Sequence, residues 1–263
     1  MDNFKKFKHF LSLYGRFLQC DLLHSLDENP NNPKNINIII LFRDTLSSIY
    51  AIDADDSENQ LSPLFFSLKQ TLKSYIEKNQ YNTINLELYK IENNSKIFKE
   101  FNDSDFKKIF QEFIVSCEAF KQIKKINNAK IEKFFTDKEG NKVLIQSLLE
   151  FANAMAHIMI ASYSVEDEHH NIEKAKNHLY RGIIDNYKML LRFCEKRLHG
   201  SDSSVAFIKL VRKNEFLYLG QNITSKIIEY NGEKISIIQA YKELYEIFFS
   251  IKSTLKLNTN HIN

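Results

Sequence analysis

Six glycines and three prolines in 263 residues give this chain few places to turn sharply, and that scarcity narrows its fold more than any other feature. Tight turns draw on those two residue types. Between them, apolar residues return every three or four positions rather than every second one, which is the helical spacing. The expected fold class is therefore all-α, a multi-helix bundle around one long central helix. The exception is Tyr230-Asn231-Gly232-Glu233, a tight-turn sequence that predicts a small β-hairpin near residues 226–236.

The first predicted helix carries Phe4, Phe7, Leu11, Tyr14, Leu18 and Leu22 on one stripe and stops at the prolines and asparagines of 27–33. A second runs from about Asn35 to Tyr50, followed by an acidic loop, Asp53 to Gln60. Ser62-Pro63 supplies an N-cap and a first-turn proline for a third helix. Weaker periodicity between Asn82 and Lys99 marks a fourth. Asp103 or Ser104 caps a longer one with Phe106, Phe110, Phe113, Cys117 and Phe120 in line. The turn residues Asp137-Lys138-Glu139-Gly140-Asn141 lie in a hinge between an N-terminal helical region (1–128) and a C-terminal bundle (141–263), which can pack as one body.

In the second half, Lys142 to Tyr163 reads as one helix with Leu144, Leu148, Phe151, Met155, Ile158 or Met159, and Ser162 inward. Ser164 to His199 reads as the next, on the order of 50 Å long. Acidic residues open it and basic residues close it, matching the helix dipole. It has two apolar lines, as a helix with neighbours on several sides must. Ser201 to Leu219 continues as helix. Ser236 with Gln239 forms a capping box for a last one through Tyr241, Leu244 and Phe248.

Thirty-six basic against 33 acidic residues give a net charge of +3, so nothing at whole-chain level calls for a polyanionic partner, and the basic excess lies after residue 140. The three cysteines, Cys20, Cys117 and Cys194, are far apart and form neither a disulfide framework nor a zinc motif. The longest apolar run, Ile36 to Phe42, is broken by Asn37 and too short to span a bilayer. No signal-peptide pattern opens the chain. A cytoplasmic protein without membrane contact is expected.

The long helix carries a third, polar line: His178, Arg181, Asp185, Lys188, Arg192, Glu195 and His199, spaced three and four apart throughout. One reading is a solvated seam of i,i+4 ion pairs worth a few tenths of a kcal/mol each. The other is a site. An arginine followed after six residues by a histidine near the end of a long helix resembles the HEPN superfamily of helical nucleases and nucleotide-binding proteins, and the stretch Asn177 to Lys188 is similar to helices of HEPN-like proteins in bacterial toxin, toxin–antitoxin and antiviral (phage-defence) systems. The resemblance covers residues 141–256 at most. It implies a homodimer that cleaves RNA without a metal, with Arg192 and His199 in the catalytic roles. Their chemistry suits RNA cleavage, because imidazole exchanges a proton near neutral pH and arginine stabilises the charged phosphorane.

His178, Arg181 and Asp185 are secondary candidates on the same line. His157 is another: it shares a stripe with Gln146, Glu150 and Asn153, and an antiparallel hairpin with the next helix would bring it near Ile172 to Lys176. Lys196, Arg197, Lys209, Arg212 and Lys213 form a basic group suited to phosphate or RNA contact. Glu166-Asp167-Glu168-His169-His170 has metal-ligating residue types, but neighbours on a helix diverge by about 100°, so it reads as a solvated helix start and no metal is assigned. No Walker loop, dinucleotide fingerprint, GxSxG or HExxH occurs, and no cofactor is implied. The alternative function is a non-catalytic helical interaction protein, a scaffold, sensor or inhibitor subunit, binding a protein partner through its aromatic-rich N-terminal helices.

Overall fold

The computed structural model describes residues 3–24, 35–51, 57–78, 104–121, 134–136, 142–163, 168–195, 202–217, 227–230 and 232–247. Helix is the dominant element: α1 (Asn3–His24), α2 (Ile36–Ala51), α3 (Ser57–Lys78), α4 (Ser104–Lys121), α5 (Ile145–Tyr163), α6 (Glu168–Glu195), α7 (Asp202–Leu217) and α8 (237–247). Two small antiparallel hairpins interrupt them: β1 (Phe134–Thr136) with β2 (Lys142–Leu144), and β3 (Ile227–Tyr230) with β4 (Glu233–Ser236). The chain is thus an all-α bundle with a hairpin at the Asn-Gly turn, where Gly232 takes the positive φ of 81° that a side chain resists. The fourth helix expected between Asn82 and Lys99 lies outside the described residues.

Two boundaries and one cap differ from the sequence expectation. The third helix starts at Ser57 rather than Ser62, so Pro63 sits inside it and residues 57–60 are not loop. Pro63 is the seventh helical residue, past the four N–H groups that lack an intrahelical partner, so its missing N–H forfeits one intrahelical bond. Lys142 to Leu144 is strand, not the first turn of α5: Val143 and Leu144 pair with Phe135 and Phe134, a match of β-branched and aliphatic residues with aromatic ones. The capping box at Ser236 is half formed. Ser236 Oγ accepts from the Gln239 backbone N–H at 3.1 Å, but the Gln239 side chain reaches forward to Glu243.

One continuous apolar core runs through α1, α2, α4, α5 and α6. From α1 it takes Phe7, Phe10, Leu11, Leu13, Tyr14 and Phe17, a wider face than a single stripe. The rings of Tyr14, Phe17 and Phe42 meet at 4.9–5.6 Å in tilted and edge-on pairs, the arrangement their quadrupoles favour. The buried Tyr14 hydroxyl donates to the Ala152 carbonyl of α5 at 2.8 Å, so the N-terminal helices are tied to the C-terminal ones through the interior. Asp21 adds a polar tie, accepting from Asn35 at 2.8 Å and Tyr75 at 3.1 Å.

The longest described helix is α6, at 28 residues, packed along α5 and across α4. Residues 164–167 and 196–200, where the sequence extends this helix, lie outside the described residues. Its two apolar lines are buried as spaced: Ile172, Ala175, Leu179, Ile183 and Leu190 on one, Ile184, Tyr187 and Leu191 on the other. Asn186, which interrupts the first line, donates to Ser116 of α4 at 2.9 Å and is thereby satisfied in the interior.

Gly182 sets how closely α6 approaches its neighbours. A β-carbon there would lie 2.7 Å from the Phe113 ring and 3.4 Å from Glu150 Cβ. Phe113 is fully buried and stacked on Phe151 at 6.0 Å, so it has little room to yield. Gly182→Ala gains about 1 kcal/mol of helix propensity, but forcing a methyl group into a packed core costs about 1–3 kcal/mol. The net expectation is a loss of up to about 2 kcal/mol in urea unfolding; a variant more stable than the parent would show that the Phe113 ring of α4 gives way freely.

Candidate functional site

The short 164–167 connection makes α5 and α6 antiparallel neighbours, and the polar contacts between them follow that geometry. His157 Nδ1 lies 2.9 Å from Asn171 Oδ1. Seven residues back along α5 and seven forward along α6, Glu150 Oε2 lies 2.6 Å from His178 Nδ1. The rings of His157 and His178 stack between these two contacts at 5.2 Å and 20°. Gln146, one turn before Glu150, donates to its other oxygen at 3.3 Å. Two sequence candidates from separate helices are therefore brought together, joined by a carboxylate and an amide that sequence reasoning had not assigned a role. Asn171 is one residue outside the stretch expected to face His157.

Each imidazole has its Nδ1 fixed by a different acceptor, and that difference sets its chemistry. With Asn171 Oδ1 accepting, His157 carries its proton on Nδ1 and keeps the Nε2 lone pair. Burial pushes the His157 pKa down; the Asn171 bond opposes this, while His178, Lys174 and His170 add to the lowering. His178 instead donates its Nδ1–H to a carboxylate, the arrangement that orients an imidazole. Side-chain exposures of 18% for His178 and 11% for Glu150 leave the seam reachable from solvent at its edge.

The lowered pKa gives a signed expectation. The unfolded imidazole takes up a proton first as pH falls, so the neutral His157 contributes full stability above its ordinary value of 6.5, which is lost as pH drops below that towards the folded pKa. In urea unfolding at pH 7.5 and 5.5, the parent is expected to lose more stability on acidification than His157→Gln, which has no imidazole to titrate. Equal losses would rule out a buried, neutral His157.

Further along α6, Arg181 is exposed and Asp185 half-buried, its pKa raised by burial against the opposing pull of Lys188, which lies 3.9 Å away. Lys188 turns to Glu215 of α7, which also accepts from Arg212 at 2.9 Å and from the Tyr241 hydroxyl at 2.5 Å. Arg212 is thus engaged in an ion pair, whereas Lys209 and Lys213 are exposed. Arg192 is exposed, its guanidinium 3.6 Å from Met189 Sδ on its own helix. It lies fourteen residues from His178, roughly 21 Å along the helix, so the two belong to separate places. His199, Lys196 and Arg197 lie outside the described residues. Of the acidic–imidazole run, Glu168 is buried while His169 and His170 are exposed, so its members diverge. Among the described residues no three His, Cys, Asp or Glu side chains converge as a metal site, and no helix is long and apolar enough to cross a membrane.

Comparison with protein-family models, curated proteins and solved structures finds no match to this chain.

The signal for Glu150 was present in the sequence. It is the one charged residue in the 19 of α5, and it stands two turns from His157 on the same face. Glu215 has a similar signal: with Phe207 and Val211 it continues the buried stripe of α7 at i,i+4 spacing.

Proposed function

We propose that this protein binds and cleaves RNA as a homodimer, in the manner of the HEPN-like nucleases its long helix resembles, with His157 and His178 exchanging the protons. The observation that carries the reading is the pair of stacked imidazoles held by unlike partners. His157, kept neutral by burial, takes the proton from a ribose 2′-hydroxyl, and the oxygen so freed attacks the adjacent phosphorus. His178, oriented by Glu150, gives a proton to the departing 5′-oxygen, and the products are a cyclic phosphate and a free hydroxyl. Arg181, exposed one turn beyond His178, supplies the fixed cation for the phosphate, and Lys209 and Lys213 add sequence-independent backbone contacts. Neither proton transfer calls on a metal.

The test compares four alanine variants, at His157, His178, Arg192 and His199, in cleavage of a labelled RNA and in growth after induced expression, since the resemblance points to toxin and defence systems. Loss at His157 and His178 with retention at the other two supports the seam. The reverse pattern moves the chemistry to Arg192 and His199. A parent that leaves RNA intact ends the nuclease reading in favour of a non-catalytic interaction protein. That alternative has less surface than its aromatic content implies, because Phe7, Phe10, Phe17 and Phe42 are spent on the core and Phe66 is the exposed phenylalanine among the described residues of α1–α3.

A further inference from the structure

We propose that the outer face of α5 is the surface on which a second copy of this chain docks, the two helices running antiparallel about a two-fold axis near residues 154 and 155. The inference deepens the homodimeric reading and rests on it for the identity of the partner, but not on RNA cleavage. Gln146, Leu149, Asn153, Ala156 and Ile160 follow one another at intervals of three and four, the seam of a helix that packs against another helix. Leu149 is 41% exposed and Ile160 49%, with Gln146 and Asn153 also exposed and Ala156 half-buried.

What sets this face apart is its lack of charge. A helix face that ends in water ordinarily carries charged residues, as α3 does with Lys69, Lys73 and Glu77 exposed. The single ionisable acid of α5, Glu150, is turned to His178, and His157 is turned to Asn171 and His178. An uncharged stripe offers nothing to a phosphate backbone, which is held by cations. It does suit a copy of itself, since two molecules of like net charge avoid local repulsion where neither presents charge.

The spacing is also self-complementary. Reversed about its midpoint, the stripe sets Leu149 against Ile160 of the other copy and Asn153 against Ala156, pairing large apolar with large apolar and polar with small, as an isologous contact requires. One polar residue in such a seam fixes register at some cost in stability. A stripe of five side chains buries less than the roughly 800 Å² per partner of a standard interface, so association in the micromolar range is expected. His157 follows Ala156 directly, so the imidazole pairs of the two copies come to flank the axis.

Sedimentation of the full chain across micromolar concentrations tests this. The mass is expected to rise with concentration from 31.0 kDa towards twice that value. Leu149→Asp and Ile160→Asp are expected to remain monomeric with the parent's circular dichroism, as is Asn153→Lys, a change at an exposed polar position that the fold tolerates and that sets like charges across the axis. Phe66→Asp, on the exposed side of α3, is expected to associate like the parent. A parent that stays monomeric throughout, or an α5 variant with the parent's spectrum that still dimerises, overturns the proposal. Neither result depends on whether the protein cleaves RNA.

Discussion

Glu215→Ala is expected to lower the unfolding free energy by about 3 kcal/mol, the lower end of the range for removing one partner of a buried ion pair. Glu215 is 9% exposed and accepts from Lys188, Arg212 and Tyr241 together. Alanine would leave the Tyr241 hydroxyl without its acceptor in the interior and the Lys188 ammonium without its carboxylate. Arg212, nearly half exposed, recovers its hydration, and Lys188 regains part of its own, which keeps the loss below the upper end. Glu215→Gln keeps an acceptor for Tyr241 while removing the charge and is expected to cost about half as much. Urea unfolding of the three proteins gives the comparison. A loss under about 1 kcal/mol for the alanine variant would mean that α7 is held by Phe207 and Val211 alone.

The second large effect concerns the seam. His178→Ala is expected to reduce RNA cleavage by a factor of about 10²–10⁴, the usual range for a positioned acid or base, and to cost some stability as well, because the largely buried Glu150 carboxylate loses its imidazole partner and keeps Gln146. Glu150→Gln retains the shape and one hydrogen bond but exchanges the carboxylate for a neutral amide. It is expected to move the alkaline limb of the pH–rate profile, the limb a general acid governs, as well as lower the rate, because it acts on the reacting ring through orientation and charge. A merely structural Glu150 would lower activity and stability together without moving that limb. His157→Ala is expected to match His178→Ala in size, and the double variant to lose little more than either, since two groups serving one reaction are not additive.

The helices were legible because each buries a stripe at fixed spacing. Leu148, Phe151, Met155, Ile158, Met159 and Ser162 of α5 are all in the interior, as their intervals indicated. What the sequence concealed was local competition. Leu144 fits the inward line of α5, but it and the β-branched Val143 pair as readily with Phe134 and Phe135 in a strand. Pro63 looked like a helix start because first-turn proline is its commonest helical position.

The site was legible one helix at a time. His157 and His178 each stood out on its own face, and an antiparallel hairpin was expected to bring α6 towards His157, but placing both imidazoles in one stack required the register between α5 and α6. That register comes from the packing of the two helices along their whole length, which no local pattern encodes. Glu150 remained hidden because a glutamate on a helix is more often solvated than pointed at a histidine on the next.

The two ties between α5 and α6 also act as a vernier. Sliding one helix past the other by a turn would break the His157–Asn171 and Glu150–His178 contacts at the same moment. A splaying hinge at one end of the helical hairpin would instead release them one at a time, so it parts the imidazoles from their partners at a smaller cost than a shear.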